Sequence, residues 1–96
     1  MQGALVAVFN VIFSEAAARM RDSLPDDRRE LLQRGLAILS TDPRPKISSP
    51  ISGDENTRSL ALTRTMAIEY VISDGLLVVL LVHLVDTSHV LFENED

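Results

Sequence analysis

The stretch Leu76 to Val85, apolar at every position but His83, leaves this chain few folds to choose from. Successive side chains of a strand point to opposite faces, so a strand apolar on both must be central and covered, or lie under a partner. Its longest unbroken apolar run, the seven residues Leu76 to Val82, is far short of the roughly 20 needed to cross a bilayer as a helix. Asp74-Gly75, just before it, is the strongest short hairpin signal in the chain, because a type I′ turn needs positive φ at both central residues. It predicts antiparallel pairing with the preceding segment. There Leu60, Leu62, Met66, Ile68, Tyr70 and Ile72 alternate with Ala61, Thr63, Thr65, Ala67, Glu69 and Val71. That period of two predicts strand, bent or broken near Arg64, which interrupts the apolar side.

The first half reads differently. Val6 to Phe13 (VAVFNVIF) is rich in β-branched and aromatic residues and predicts a first strand ending at Ser14. Ser14 suits an N-cap and Glu15 the positive end of a helix reaching Ser23, with Ala17, Met20 and Leu24 on one face. Pro25 is tolerated at the start of a helix, and Asp26 and Asp27 favour its dipole, so a second helix is expected from there to about Ser40. Leu31, Leu32, Gly35, Leu36, Ile38 and Leu39 give it an apolar face, with Arg28, Arg29 and Arg34 largely on the other side. The two helices should form a hairpin. Residues 41–57, with three of the four prolines and no periodicity, predict a loop, and Val90, Leu91 and Phe92 a last short strand.

A length of 96 residues fits one domain, 1–96, with one core. The absence of cysteine excludes disulfides, thiolate metal sites and thiol catalysis. The apolar start lacks a basic region and a small-residue cleavage site, so no secretory signal is expected and the chain reads as cytoplasmic. Net charge is −5, unevenly placed: residues 1–64 hold all nine bases and eight acids, residues 65–96 six acids and no base. An acidic chain binds nucleic acid only where its arginines converge on one face.

The order β-α-α-β-β-β, with Phe13-Ser14-Glu15-Ala16-Ala17, Leu24-Pro25, Asp42-Pro43, Pro50, Gly53, and Tyr70 followed by Asp74-Gly75, resembles the RelE/ParE toxin superfamily over most of the chain. The resemblance implies an α+β fold, a twisted antiparallel sheet of four to five strands packed against an N-terminal helical hairpin. It implies a type II toxin neutralised by an antitoxin, one branch of the family cleaving messenger RNA at the ribosome and another poisoning gyrase. The chain resembles a divergent, acidic member. Where the family shows an arginine-rich stretch and then Gly-Asp-Tyr-Arg, residues 58–67 keep only Arg58 and Arg64.

In-line attack by a 2′-hydroxyl needs a base, an acid and cations for the charged transition state, but no metal. Arg58 and Arg64 are candidates to clamp phosphate, Lys46 to add a cation and His83 or His89 to move protons. Each has a plainer reading: edge charge for the arginines, a locally hydrogen-bonded histidine for His83. His83, His89 and Asp86 lack any established metal-site spacing, and no nucleotide-cradle or serine-hydrolase motif is present, so neither metal nor cofactor is expected. An apolar far face of the sheet is expected to meet an antitoxin or a second copy of the chain. Two functions follow: a toxin acting on translating messenger RNA or gyrase, or a noncatalytic homodimeric module that has lost the cleft's basic residues.

Overall fold

A computed structural model describes residues 8–87. The elements run β1 (Asn10–Phe13), α1 (Glu15–Ser23), α2 (Asp26–Thr41), β2 (Ser48–Ile51), β3 (Asp54–Ala61), β4 (Met66–Ser73) and β5 (Val78–Asp86). They form one five-stranded sheet in the order β1-β5-β4-β3-β2, with the helical hairpin on one face. Three ladders are antiparallel, as expected; the fourth, β1 with β5, is parallel, which makes the sheet mixed. The helical hairpin after Phe13 carries the chain off the sheet, and it is the last strand that returns beside the first.

Local chemistry sets the helix starts. Ser14 caps α1 by accepting from the Ala17 amide, and its hydroxyl donates to the Val82 carbonyl at 2.7 Å, tying the helix start to β5. Pro25 caps α2 without a side-chain bond, and Asp26 and Asp27 fill the first turn. Ala17, Leu24, Leu32 and Leu39 bury against Leu60, Met66, Ile68, Tyr70, Ile72, Val79, Leu81 and Leu84 from the sheet. The β4–β5 register shifts between Glu69 and Tyr70, pairing Glu69 with His83 but Tyr70 with Leu81. That extra residue, Val82, lets Leu81 and Leu84, three apart, both point inward.

Three expectations change and one holds. The loop expected over 41–57 contains β2 and the start of β3, joined by Ser52-Gly53 with φ of 55° and 78°. Ile51 pairs with Asp54, so this is the two-residue hairpin with positive φ at both central positions. Asp74-Gly75 is not such a turn. Residues 74–77 separate β4 from β5, positive φ falls on Leu77 at 53°, and the Asp74 carboxylate is engaged by Arg44 at 2.7 Å. The strand expected over 60–72 breaks near Arg64, as anticipated, into β3 and β4. Thr63 and Thr65 turn the chain between them, the Thr65 amide donating to Thr63 Oγ1 and the Leu62 and Thr63 amides to the Met66 carbonyl. Among the described residues the first strand starts at Asn10, with Val8 and buried Phe9 ahead of it and the Phe9 amide donating to the Ser40 carbonyl; Val6 and Ala7 lie outside the described residues. The strand expected at Val90 to Phe92 lies outside the described residues, as does His89.

On the far side of the sheet, Ile12, Val71 and Val85 remain 36–45% exposed, around a polar pair formed by Glu69 and His83. Among the described residues no helix is long and apolar enough to cross a membrane.

Candidate functional site

Arg58 lies on β3 opposite Tyr70 of β4, on the face that packs against the helices, and is 6% exposed. Its Nε donates to Ser48 Oγ at 2.9 Å and its Nη2 to the Ser48 carbonyl at 3.3 Å, while Nη1 reaches Glu55 at 2.8 Å. Ser48 in turn donates to the Pro45 carbonyl at 2.7 Å. Arg58 thereby fixes the turn Pro45–Ser48, which carries exposed Lys46 and Ile47. Beside it, the Tyr70 hydroxyl donates to the Pro43 carbonyl at 2.8 Å. Burial raises the Tyr70 pKa above its ordinary value, a rise that Ser48 and Arg58 partly offset.

The other candidates lie elsewhere. Arg64 is exposed in the β3–β4 turn and has no hydrogen bond or ion pair among the described residues. His83 is exposed on the far face of the sheet, opposite Glu69. Arg58 and His83 are therefore on opposite faces, and the four residues do not share a cleft. Among the described residues no three potential metal ligands cluster.

What the structure does assemble is a groove between α2 and the β3–β4 arm. One part, about 410 Å³, is lined by Asp27, Arg28, Leu31, Thr63, Arg64 and Thr65. The adjoining part, about 250 Å³, shares Leu31 and adds Arg34, Gly35, Ile38, Ile47 and Leu62. Its floor is apolar, with Ile38 41% and Ile47 65% exposed. Arginines line its rim. Arg28 is held by Thr65 Oγ1 and by Asp86 at 3.7 Å; among the described residues Arg34 has only a 3.9 Å contact with exposed Glu30. Gly35 lets Leu62 pack close against α2: a Cβ there would sit 2.5 Å from a Leu62 methyl, so that side chain would have to shift.

This site was only partly legible beforehand. Arg64 was singled out, but Arg28 and Arg34 were read as solvated helix surface. The usable signal was the spacing of Leu31, Arg34 and Ile38, a mixed stripe running beside the core stripe of Leu32, Gly35 and Leu39. Such an arrangement can hold an elongated anionic ligand with an apolar side, since guanidinium groups recognise phosphate and carboxylate oxygens and the floor takes an apolar surface.

No family model matches the sequence, and no curated protein does. The fold does match solved structures. In the intact RelBE toxin–antitoxin complex of E. coli, the similar chain shares 20% identity with a TM-score of 0.71, covering 81% of this chain and 95% of its own length. The isolated E. coli RelE toxin gives 21% identity and a TM-score of 0.72, covering 90% and 94%. The archaeal RelE–RelB complex from Pyrococcus horikoshii gives 17% and 0.68, covering 84% and 97%. This chain has the RelE toxin fold, as its residue order led us to expect. The match spans nearly the whole length of those proteins.

Proposed function

We propose that this chain is the toxin of a type II toxin–antitoxin pair, a single domain that inhibits translation by engaging RNA through the α2–β3 groove. The observation that carries the reading is the two-way coverage of RelE structures, several of them solved with an antitoxin. The groove supports it. Arg64, with no partner among the described residues, and weakly paired Arg34 form an anion-binding rim on a chain that is acidic overall. In this reading Arg64 contacts phosphate and Lys46 stands at the far end of the groove, on the turn that Arg58 holds from beneath. Arg58 is a positioning residue. His83, on the opposite face, takes no part in phosphate contact; with Glu69 and the exposed Ile12, Val71 and Val85 it belongs to the surface offered to the antitoxin.

The experiment is cell-free translation of one defined message with the purified chain, with message ends mapped and supercoiling by gyrase assayed in parallel. The expected result is translation inhibited and gyrase unaffected, with inhibition weakened in Arg64→Ala and Lys46→Ala. Cleaved message would assign an endoribonuclease; intact message would assign inhibition by binding. Inhibited gyrase with normal translation, or no inhibition of either by folded protein, would overturn the reading.

A further inference from the structure

Asp74-Gly75 is the only Asp-Gly or Asn-Gly step in the sequence, and the proposed function makes no use of it. At such a step the following amide nitrogen can attack the side-chain carboxyl, because glycine carries no Cβ to hinder the approach. A bond forms between Asp74 Cγ and Gly75 N, water leaves, and a five-membered succinimide results. Water then opens the ring at one carbonyl or the other, returning aspartate or routing the backbone through Cβ as isoaspartate. The sequence of steps needs no reagent but water.

The surroundings leave the step open to this reaction. Residues 74–77 are all exposed, and a Cβ placed on Gly75 meets nothing within 4 Å. Among the described residues no backbone carbonyl accepts the Gly75 amide, and the bond that closes the turn, from the Leu77 amide to the Asp74 carbonyl, is long at 3.3 Å. Leu77 itself sits at a φ of 53°, which side chains disfavour. One contact opposes the reaction. Arg44 grips both carboxylate oxygens, Nη1 donating to Oδ1 at 3.2 Å and Nη2 to Oδ2 at 2.7 Å. That fork fixes the carboxylate on the guanidinium and favours its ionised form, which is a poor electrophile because it has no water to expel. The lowered Asp74 pKa agrees with this.

We infer that Asp74-Gly75 is a site of spontaneous isoaspartate formation and that Arg44 guards it. Isomerisation adds one methylene to the backbone between residues 74 and 75 and leaves the free carboxylate on Cα, out of register with the guanidinium. Arg44 also donates to Asn56, and its amide donates to Asp42 Oδ1 at 3.2 Å, so losing Asp74 loosens the segment that leads into the Pro45–Ser48 turn. The isomerisation needs no toxin activity. Its bearing on RNA rests on the function proposed above: an aged chain holds Lys46 less firmly at the end of the groove.

The test ages the full chain at neutral pH and physiological temperature. Isoaspartate is counted with an isoaspartyl methyltransferase and radiolabelled S-adenosylmethionine, and placed by peptide mapping. The folded parent is expected to accumulate it slowly at residue 74, and both the denaturant-unfolded parent and folded Arg44→Ala several-fold faster. Arg44→Lys keeps the charge but not the fork and should fall between parent and Arg44→Ala. Asn56→Ala leaves both Asp74 bonds in place and should age at the parent rate, while Gly75→Ala added to Arg44→Ala should suppress the signal. The Arg44 side chain is 33% exposed, so these variants are expected to fold, and melting curves check it. If Arg44→Ala does not fold, Arg44→Lys carries the comparison. Folded arginine variants that age no faster than the parent, a parent that ages as fast as its unfolded chain, or label at another residue would overturn the assignment. Translation does not enter these readouts, so the assignment and the proposed function can fail separately.

Discussion

Tyr70 is the largest fully buried side chain, and its one polar atom is satisfied by the Pro43 carbonyl. Removing that hydroxyl loses a buried hydrogen bond and orphans its acceptor, so Tyr70→Phe should lower unfolding free energy by about 1–2 kcal/mol in denaturant melts. The raised Tyr70 pKa also sets a direction with pH. From the ordinary tyrosine value of 10.0 upward, the unfolded chain loses this proton while the folded chain keeps it, so stability falls as pH rises through that range. Tyr70→Phe should flatten that alkaline slope. At the acid end, hydrogen bonding to Arg44 holds Asp74 below its ordinary 3.8, and backbone and side-chain bonds from Asn56 and Thr57 do the same for Asp54. The stability they contribute is present above the ordinary carboxylate value and is lost as pH falls through the lowered one. Asp74→Asn should reduce the acid sensitivity of the melt and lower its neutral midpoint slightly, because the contribution it removes is the one present at neutral pH. Arg58 differs from the exposed arginines: Arg58→Met strands the Ser48 groups it holds and should cost about 2–3 kcal/mol, whereas Arg64→Ala should stay within about 0.5 kcal/mol of the parent.

Among the elements, α2 and the β3–β4 arm define the groove, and Gly35 sets their distance. Alanine at 35 gains roughly 1 kcal/mol of helix propensity but pushes a Leu62 methyl that can swing into the open groove, so Gly35→Ala should melt near the parent. Gly35→Leu has no such exit and should cost about 1–3 kcal/mol. Gly53, at φ 78°, belongs to the β2–β3 turn, where Gly53→Ala should cost about 1 kcal/mol although no atom lies within 4 Å of its added Cβ. The same elements show what the sequence could and could not say. Helices α1 and α2 were legible because Ser14, Pro25 and the leucine spacing act locally. The β2–β3 hairpin was not, since Ser49, Pro50 and Asp54 to Thr57 carry no apolar alternation: β2 is an edge strand and the outer half of β3 is exposed. Asp74-Gly75 marked the antiparallel β4–β5 connection correctly but not its turn type, since the connection runs over residues 74–77 with positive φ at Leu77, and Arg44 engages Asp74 from 30 residues away. Arg58 was legible as a cation but not as a buried one, because its partners Ser48 and Glu55 flank a turn that local patterning did not reveal.

For the molecule as a whole, fold and charge carry different information. The apolar alternation of β4, the two-sided apolar β5 and the helical hairpin suit the RelE fold without requiring any particular surface charge. The net charge of −5 nevertheless hides a polarity: every base lies in residues 1–64, and Arg28, Arg34 and Arg64 converge on one groove while His83 and Glu69 occupy the other side. The site was therefore half legible. The chemistry of Arg64 could be read from its type and neighbours, but convergence with α2 depends on how a helix and a turn 30 residues later pack. The measurement that tests the central claim most directly is bacterial growth after tight induction of this chain, beside Arg64→Ala at matched soluble level and with both melting temperatures measured. The account predicts arrest by the parent and relief in Arg64→Ala at an unchanged melting temperature. Unimpaired growth with abundant folded parent protein, or equal arrest by both chains, would contradict it.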